Sequence, residues 1–266
     1  MMSGVLYKRE MKASVRLLMI FGAVLTLYVS IIISMYDPEL SALLDSYVEL
    51  MPELMAAVGM TAGATTLIGF MCSYLYGFIL LIFPMLFCIL RGNALVAKYV
   101  EDHSMVSLVA APVKRRTIAL TQMLVLLTGT VILVGYSTIL ELVCGAWYFP
   151  GELDTAQLLT LNGGLLCLHL LIGGICFAAS CLAPDTKYSV GFGAGVPILM
   201  YVIQMLANMG GKVENAKYFT FFTLFDPEGL VARESGALAG AALLGLGGLA
   251  LYGLGAAAFC RKDLHI

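Results

Sequence analysis

Few residues in this sequence could do chemistry at depth. Of its three histidines, His103, His169 and His265, only His169 lies inside a long apolar run. It stands 15 residues after Asp154 and 16 before Asp185. A helix through it would hold the imidazole midway between two charged ends. An ionisable group at that depth is costly to keep, so a proton carrier or a lining residue of a solute path is one reading. A neutral imidazole hydrogen-bonded between helices is the plainer one. Glu141 follows Arg116 by 25 residues and is expected at the far end of the same helix. There it is either a solvated or capping carboxylate, or a cation-attracting group at an outer vestibule.

Other chemistries lack their residues. No serine motif of an intramembrane protease accompanies the histidines, and H-E-x-x-H is absent. No G-x-x-x-x-G-K-[ST] occurs. The glycines of Gly191-Phe-Gly-Ala-Gly195 are not followed by Lys-Ser/Thr, so the chain has no loop to cradle ATP phosphates. The seven cysteines are odd in number, contain no C-x-x-C, and lie mostly in apolar runs. They read as small packing residues rather than disulfide or zinc ligands.

The elements that must carry these residues are set by composition. Of 266 residues, 61% are hydrophobic and 12% charged, and the net charge is −2. So few charges cannot coat a soluble globule of this size. The near-neutral balance also excludes a strongly basic nucleic-acid binder, and no low-complexity tract suggests disorder. A lipid-embedded chain remains.

Charge-free intervals occur at 17–36, 54–90, 117–140, 155–184, 188–211 and 235–260. A spanning helix needs about 20 apolar residues. The second interval, 37 residues long, would reach about 55 Å as one helix. Its small, Gly-rich first part, 54–65, is expected to form a surface or re-entrant element. The pattern predicts an all-α membrane protein, one transmembrane domain over 1–266, with spans near 17–36, 66–90, 117–140, 158–182, 188–208 and 236–260. An N-terminal interfacial helix over 5–16 is expected from Lys8, Lys12 and Arg16, four apart on one face. The charge-free run 17–36, 20 residues long, is too long for a signal-peptide core and has no convincing cleavage site after it.

Lys/Arg bias sets the orientation. Twelve basic and five acidic residues fall on one side, three basic and twelve acidic on the other, giving +7 and −9. Both termini are then cytoplasmic, and the small net charge conceals a polarised molecule. The outer loop 37–53 reads as an amphipathic helix through Leu40, Leu43, Leu44, Tyr47 and Val48. Pro84 and Pro197 fall inside spans and either shape packing or act as hinges. The glycines of the last span permit close helix approach, within the chain or between protomers.

The cytoplasmic segment after the second span runs Tyr99-Val-Glu-Asp-His-Ser-Met-Val-Ser-Leu-Val-Ala-Ala-Pro-Val-Lys-Arg-Arg-Thr117. Ser104 can cap a short helix that Pro112 ends, with Met105, Val106, Leu108 and Val109 as its apolar face. This segment resembles the signature of ABC-2 type ABC-transporter permeases, the transmembrane subunits of type V-like ABC exporters. Phe222-Thr-Leu-Phe-Asp-Pro-Glu-Gly-Leu230 resembles that family's last outer loop, and Phe259-Cys-Arg-Lys-Asp-Leu264 its usual ending. The family's Gly-Thr after the acids is His103-Ser104 here.

The resemblance implies a coupling helix that docks on a separate ATPase, with Glu101, Asp102, Ser104, Met105, Leu108 and Pro112 in that role. It implies two ATPase copies holding ATP and Mg, no cofactor in this chain, a second permease subunit, identical or paralogous, and a bacterial plasma membrane. It implies export, of an amphipathic or hydrophobic cargo given the small outer loops and no expected charged cavity. His169, Glu141 and Pro84 are the candidates for the translocation path. An intramembrane enzyme is the weaker class. The other alternative, an autonomous six-span channel or secondary transporter, would call for internal repeats or several intramembrane ionisable groups. Of these the sequence offers His169 alone.

Overall fold

A computed structural model describes residues 2–37, 48, 50–60, 66–102, 105 and 113–262. The order is α1 (Gly4–Ser34), α2 (Pro52–Ala57), α3 (Leu67–Tyr76), α4 (Ile79–Leu95), α5 (Ala97–Glu101), α6 (Arg115–Tyr148), α7 (Thr155–Leu182), α8 (Thr186–Asn208), two 3₁₀ turns (Gly211–Phe219 and Phe221–Leu224), α9 (Pro227–Val231) and α10 (Ser235–Arg261). Among the described residues there is no strand. Six helical segments are long and apolar enough to cross a membrane: α1, Ile79–Glu101, α6, α7, α8 and α10. The start of α1, Arg91, Arg115 and Lys262 meet at one, basic end of these segments, and the turns before α7 and α9, rich in acidic residues, lie at the other.

The first helix differs from expectation. It runs unbroken for 31 residues, about 46 Å, against a hydrocarbon core of about 30 Å. The basic turns 5–16 and the span belong to one continuous helix.

The second span departs further. Thr66 caps α3, its hydroxyl accepting from Gly69 N at 3.2 Å. The helix then widens into a π turn over Cys72–Tyr76, breaks at Gly77–Phe78, resumes as α4, and breaks again at Val96. The expected helix 66–90 is therefore two pieces, and its break lies at Gly77 rather than at Pro84. The cause is close packing of the segment before it. Gly59, at φ +80°, lies against Gly77, and a Cβ on Gly77 would fall 2.5 Å from Val58 O. The described part of the expected Gly-rich element, α2 and the turn after it, thus packs into the gap in the span. Most of the expected outer helix 37–53 lies outside the described residues.

α7 is the central helix, packed by α10, α4, α8 and α6, while α1 lies against α6. Small residues allow these approaches. A Cβ on Gly248 would meet Leu170 C at 2.5 Å, and one on Gly240 would meet Leu224 O at 2.6 Å. Gly236 and Gly253 face open space. This glycine face of α10 is therefore an intrachain seam. Aspartates start three helices by accepting backbone N–H bonds: Asp154 for α7, Asp185 for α8 and Asp226 for α9. Lys262 closes the other end of α7 by donating to the carbonyls of Leu182 (3.1 Å) and Ala183.

Candidate functional site

The break in the second span opens a cavity of about 420 Å³ at the acidic end, between α2, α3, α8, the 3₁₀ turns and α9. Ser73, Tyr76, Gln204, Lys217, Asp226 and Glu228 are among its lining residues. The cavity thus brings three charged side chains, Lys217, Asp226 and Glu228, to a wall that is otherwise mostly apolar. Phe222-Thr-Leu-Phe-Asp-Pro-Glu supplies much of this wall because Asp226 and Pro227 turn the chain into α9. Tyr201 of α8 donates to Gly77 O at 3.1 Å, giving the broken helix a partner for an exposed carbonyl. At the rim Lys217 donates to Glu214 at 2.8 Å. The hydrogen bond and attraction raise the lysine's pKa and lower the glutamate's. A second cavity, of about 480 Å³ and lined by Tyr28, Ile31, Phe70, Tyr74 and Phe78 among others, is almost wholly apolar. It lies on the α1 side of the same break.

Glu141 is at the expected end of α6 but not in solvent: it is fully buried. Its Oε2 accepts from Tyr76 Oη at 2.9 Å and from Asn162 Nδ2 at 2.7 Å. Asn162 Nδ2 also donates to Tyr76 Oη at 2.7 Å and to Leu158 O at 3.3 Å. Glu141 Oε1 and Asn162 Oδ1 are both buried without a hydrogen-bond partner. The solvated-carboxylate expectation fails because α3, α6 and α7 close around this side chain. Tyr76 belongs both to this cluster and to the cavity wall.

His169 is also fully buried. Its Nδ1 lies 2.9 Å from Leu165 O and its Nε2 3.1 Å from Leu81 O. Both neighbours only accept, so a neutral ring with one N–H can satisfy one of them and an imidazolium both. Leu81 sits three residues before Pro84, in the turn where the proline withholds a backbone donor. His169 thus contacts the carbonyl next to the one that Pro84 deprives of its helical donor, Leu80 O; among the described residues His169 and Glu141 share no hydrogen-bond partner. Asn162, His169 and Cys176 are spaced by sevens on α7. Asn162 reaches Tyr76 of α3, His169 reaches α4, and Cys176 Sγ donates to Gly193 O of α8 at 3.1 Å. A turn further on, Ser180 Oγ accepts from Ala97 N at 2.9 Å, where α5 begins after its break. Polar groups of α7 therefore meet the second span near each of its irregularities.

The basic end holds a second cluster that sequence reasoning missed. Arg91 and Glu10, counted among the cytoplasmic-side charges in the sequence, are buried against each other. Arg91 also donates through Nε to Ser14 Oγ at 2.6 Å, and Tyr99 Oη donates to the other oxygen of Glu10. Glu10 and Ser14, four apart, share the inward face of α1 while Arg16 is exposed, and nothing in their types separates the inward pair from the rest. Asn162 did carry a signal, its seven-residue spacing from His169.

Glu101 and Asp102 are exposed at the end of α5, and Met105 is buried. Ser104, Leu108 and Pro112 lie outside the described residues. Glu101 Oε2 accepts from Thr186 N at 3.2 Å, the first N–H of α8. Among the described residues no group of three His, Cys, Asp or Glu could hold a metal ion.

Fold and composition define the class: a multi-pass, all-α membrane protein. No family model matches the chain, and no curated protein or solved structure is significantly similar to it.

Proposed function

We propose that this chain is the permease subunit of an ATP-driven exporter, moving an amphipathic cargo through the cavity at its acidic end. The observation that carries the reading is the bond between Glu101 and Thr186. It ties the cytoplasmic segment after the second span to the start of α8. The second span and α8 are also the two long elements that wall this cavity, through Tyr76, Gly77 and Leu81 on one side and Tyr201, Gln204 and Asn208 on the other. A force applied to the segment holding Glu101, Asp102, Ser104, Met105, Leu108 and Pro112 is therefore delivered to both cavity walls. The partner that applies it is a separate ATPase in two copies, which holds Mg-ATP, and a second permease subunit completes the pump. The basic end then faces the cytoplasm of a bacterium, with both termini inside, and the cavity opens outward. A cavity carrying charged groups beside an apolar one, with the Gly59–Gly77 contact between them, suits a cargo with a polar group and an apolar body.

The test is co-purification with an ATPase of about the mass of one nucleotide-binding domain, followed by cargo efflux from proteoliposomes. ATP-dependent efflux lost on Glu101→Ala supports the reading. Transport by this chain alone without ATP overturns it. A specific observation favours that second reading, an autonomous secondary transporter: Glu141 joins His169 as a buried ionisable group inside a span.

A further inference from the structure

We propose that Glu141 is a proton-binding site, exchanging its proton with the acidic-end cavity past Tyr76. The inference concerns this chain's own residues and holds whichever energy source drives transport.

The argument starts from two atoms. Glu141 Oε1 and Asn162 Oδ1 are both acceptors, both buried, and both without a hydrogen-bond partner among the described residues. They belong to side chains already joined through their other ends at 2.7 Å. An unpartnered buried polar atom costs about 1–3 kcal/mol, and two on one pair of residues mark a missing donor. Among the described residues no basic side chain supplies it. From α3 the facing groups are Tyr76 and Cys72, from α7 Asn162, and on α6 itself Cys144. α1 brings Ser30, whose hydroxyl lies 3.8 Å from Cys144 Sγ. Asp226 and Glu228, which act on Cys72 together with Glu141, add only negative charge. α10 carries no charge before Arg261.

A proton on Oε1 turns an orphaned acceptor into a donor and removes the uncompensated charge. A metal cation fits less well. It would need about six oxygens, and Asn162 presents Nδ2, not Oδ1, to both Glu141 and Tyr76. The route is short because Tyr76, which bonds Glu141, also lines the cavity. In the balanced step hydronium in the cavity gives a proton, the Glu141 carboxylate becomes a carboxylic acid, and water is left behind.

Dicyclohexylcarbodiimide, which adds to protonated carboxyl groups in apolar surroundings, tests this on the full chain in lipid vesicles. Peptide mass spectrometry reads the labelled fraction at Glu141 from about pH 5 to pH 9, a range within reach of buried carboxyls. The expected result is a label that titrates over this range, is unchanged by Na⁺ at fixed pH, and shifts its midpoint by about one pH unit in Tyr76→Phe. Labelling that is absent or flat with pH overturns the proposal. So does suppression by Na⁺ at fixed pH, which would assign the site to a metal cation.

Discussion

The guanidinium of Arg91 lies 2.6 Å from the carboxylate of Glu10, with both side chains almost wholly shielded from solvent. The contact joins the first helix to the second span at the basic end. A second bond, from Arg91 to Glu10 O at 2.9 Å, ties the same guanidinium to the α1 backbone. Removing one partner strands a buried charge, which costs about 3–5 kcal/mol, whereas removing both costs less. Arg91→Leu and Glu10→Leu are each expected to lower the melting temperature in detergent sharply. The double variant should recover part of the loss. Additive effects would mean that the pair is not coupled.

The glycine seam between α10 and α7 predicts a contrast between two identical substitutions. Gly248→Ala puts a methyl 2.5 Å from Leu170 C, a backbone atom that cannot move alone, while Gly253→Ala meets nothing within 4 Å. Overpacking of this kind costs about 1–3 kcal/mol. Thermal unfolding in one detergent should separate the variants, with Gly253→Ala at or slightly above the parent. Equal stabilities would contradict the seam.

His169 predicts a graded series. Leucine leaves the carbonyls of Leu81 and Leu165 without this partner, and glutamine can still donate to one of them. The loss for His169→Leu should be about 1–3 kcal/mol, with His169→Gln between it and the parent. Pro84 withholds its donor from Leu80 O, not from the Leu81 O that faces His169, so Pro84→Ala should leave the penalty of His169→Leu nearly unchanged in a double-mutant cycle. A large coupling energy would show that the two residues act on one carbonyl.

The number of spans, the helical class and the charge polarity were legible because each rests on counts of apolar and charged residues. The broken second span was half legible. The 37-residue apolar run demanded an interruption, and the glycines of 54–65 suggested where extra chain would go. Pro84 reads as a kink or hinge, yet the helix breaks at Gly77, because the break follows from a backbone contact with Gly59 that no local pattern records. Burial of Glu10, Arg91 and Glu141 was not legible at all. A charge near a helix end reads as solvated until the helix packed over it is known, and each of these is covered by an element distant in sequence.

The coupling reading turns on Glu101, and its test separates mechanics from folding. The residue is exposed, and its bond to Thr186 N is 3.2 Å long. Asp185 already caps α8, accepting from Tyr188 N at 3.0 Å. Losing the extra acceptor should therefore cost no more than the about 0.5 kcal/mol usual for a surface substitution. Glu101→Ala is thus expected to fold, insert and melt like the parent. If the Glu101–Thr186 bond carries force from the cytoplasmic segment to α8, the same variant should keep the partner's ATP hydrolysis while efflux falls several-fold. Thr186→Pro removes the donor from the other side at the first position of α8, where a helix tolerates proline, and should give the same split. A variant pair that keeps full efflux would show that this bond carries no force.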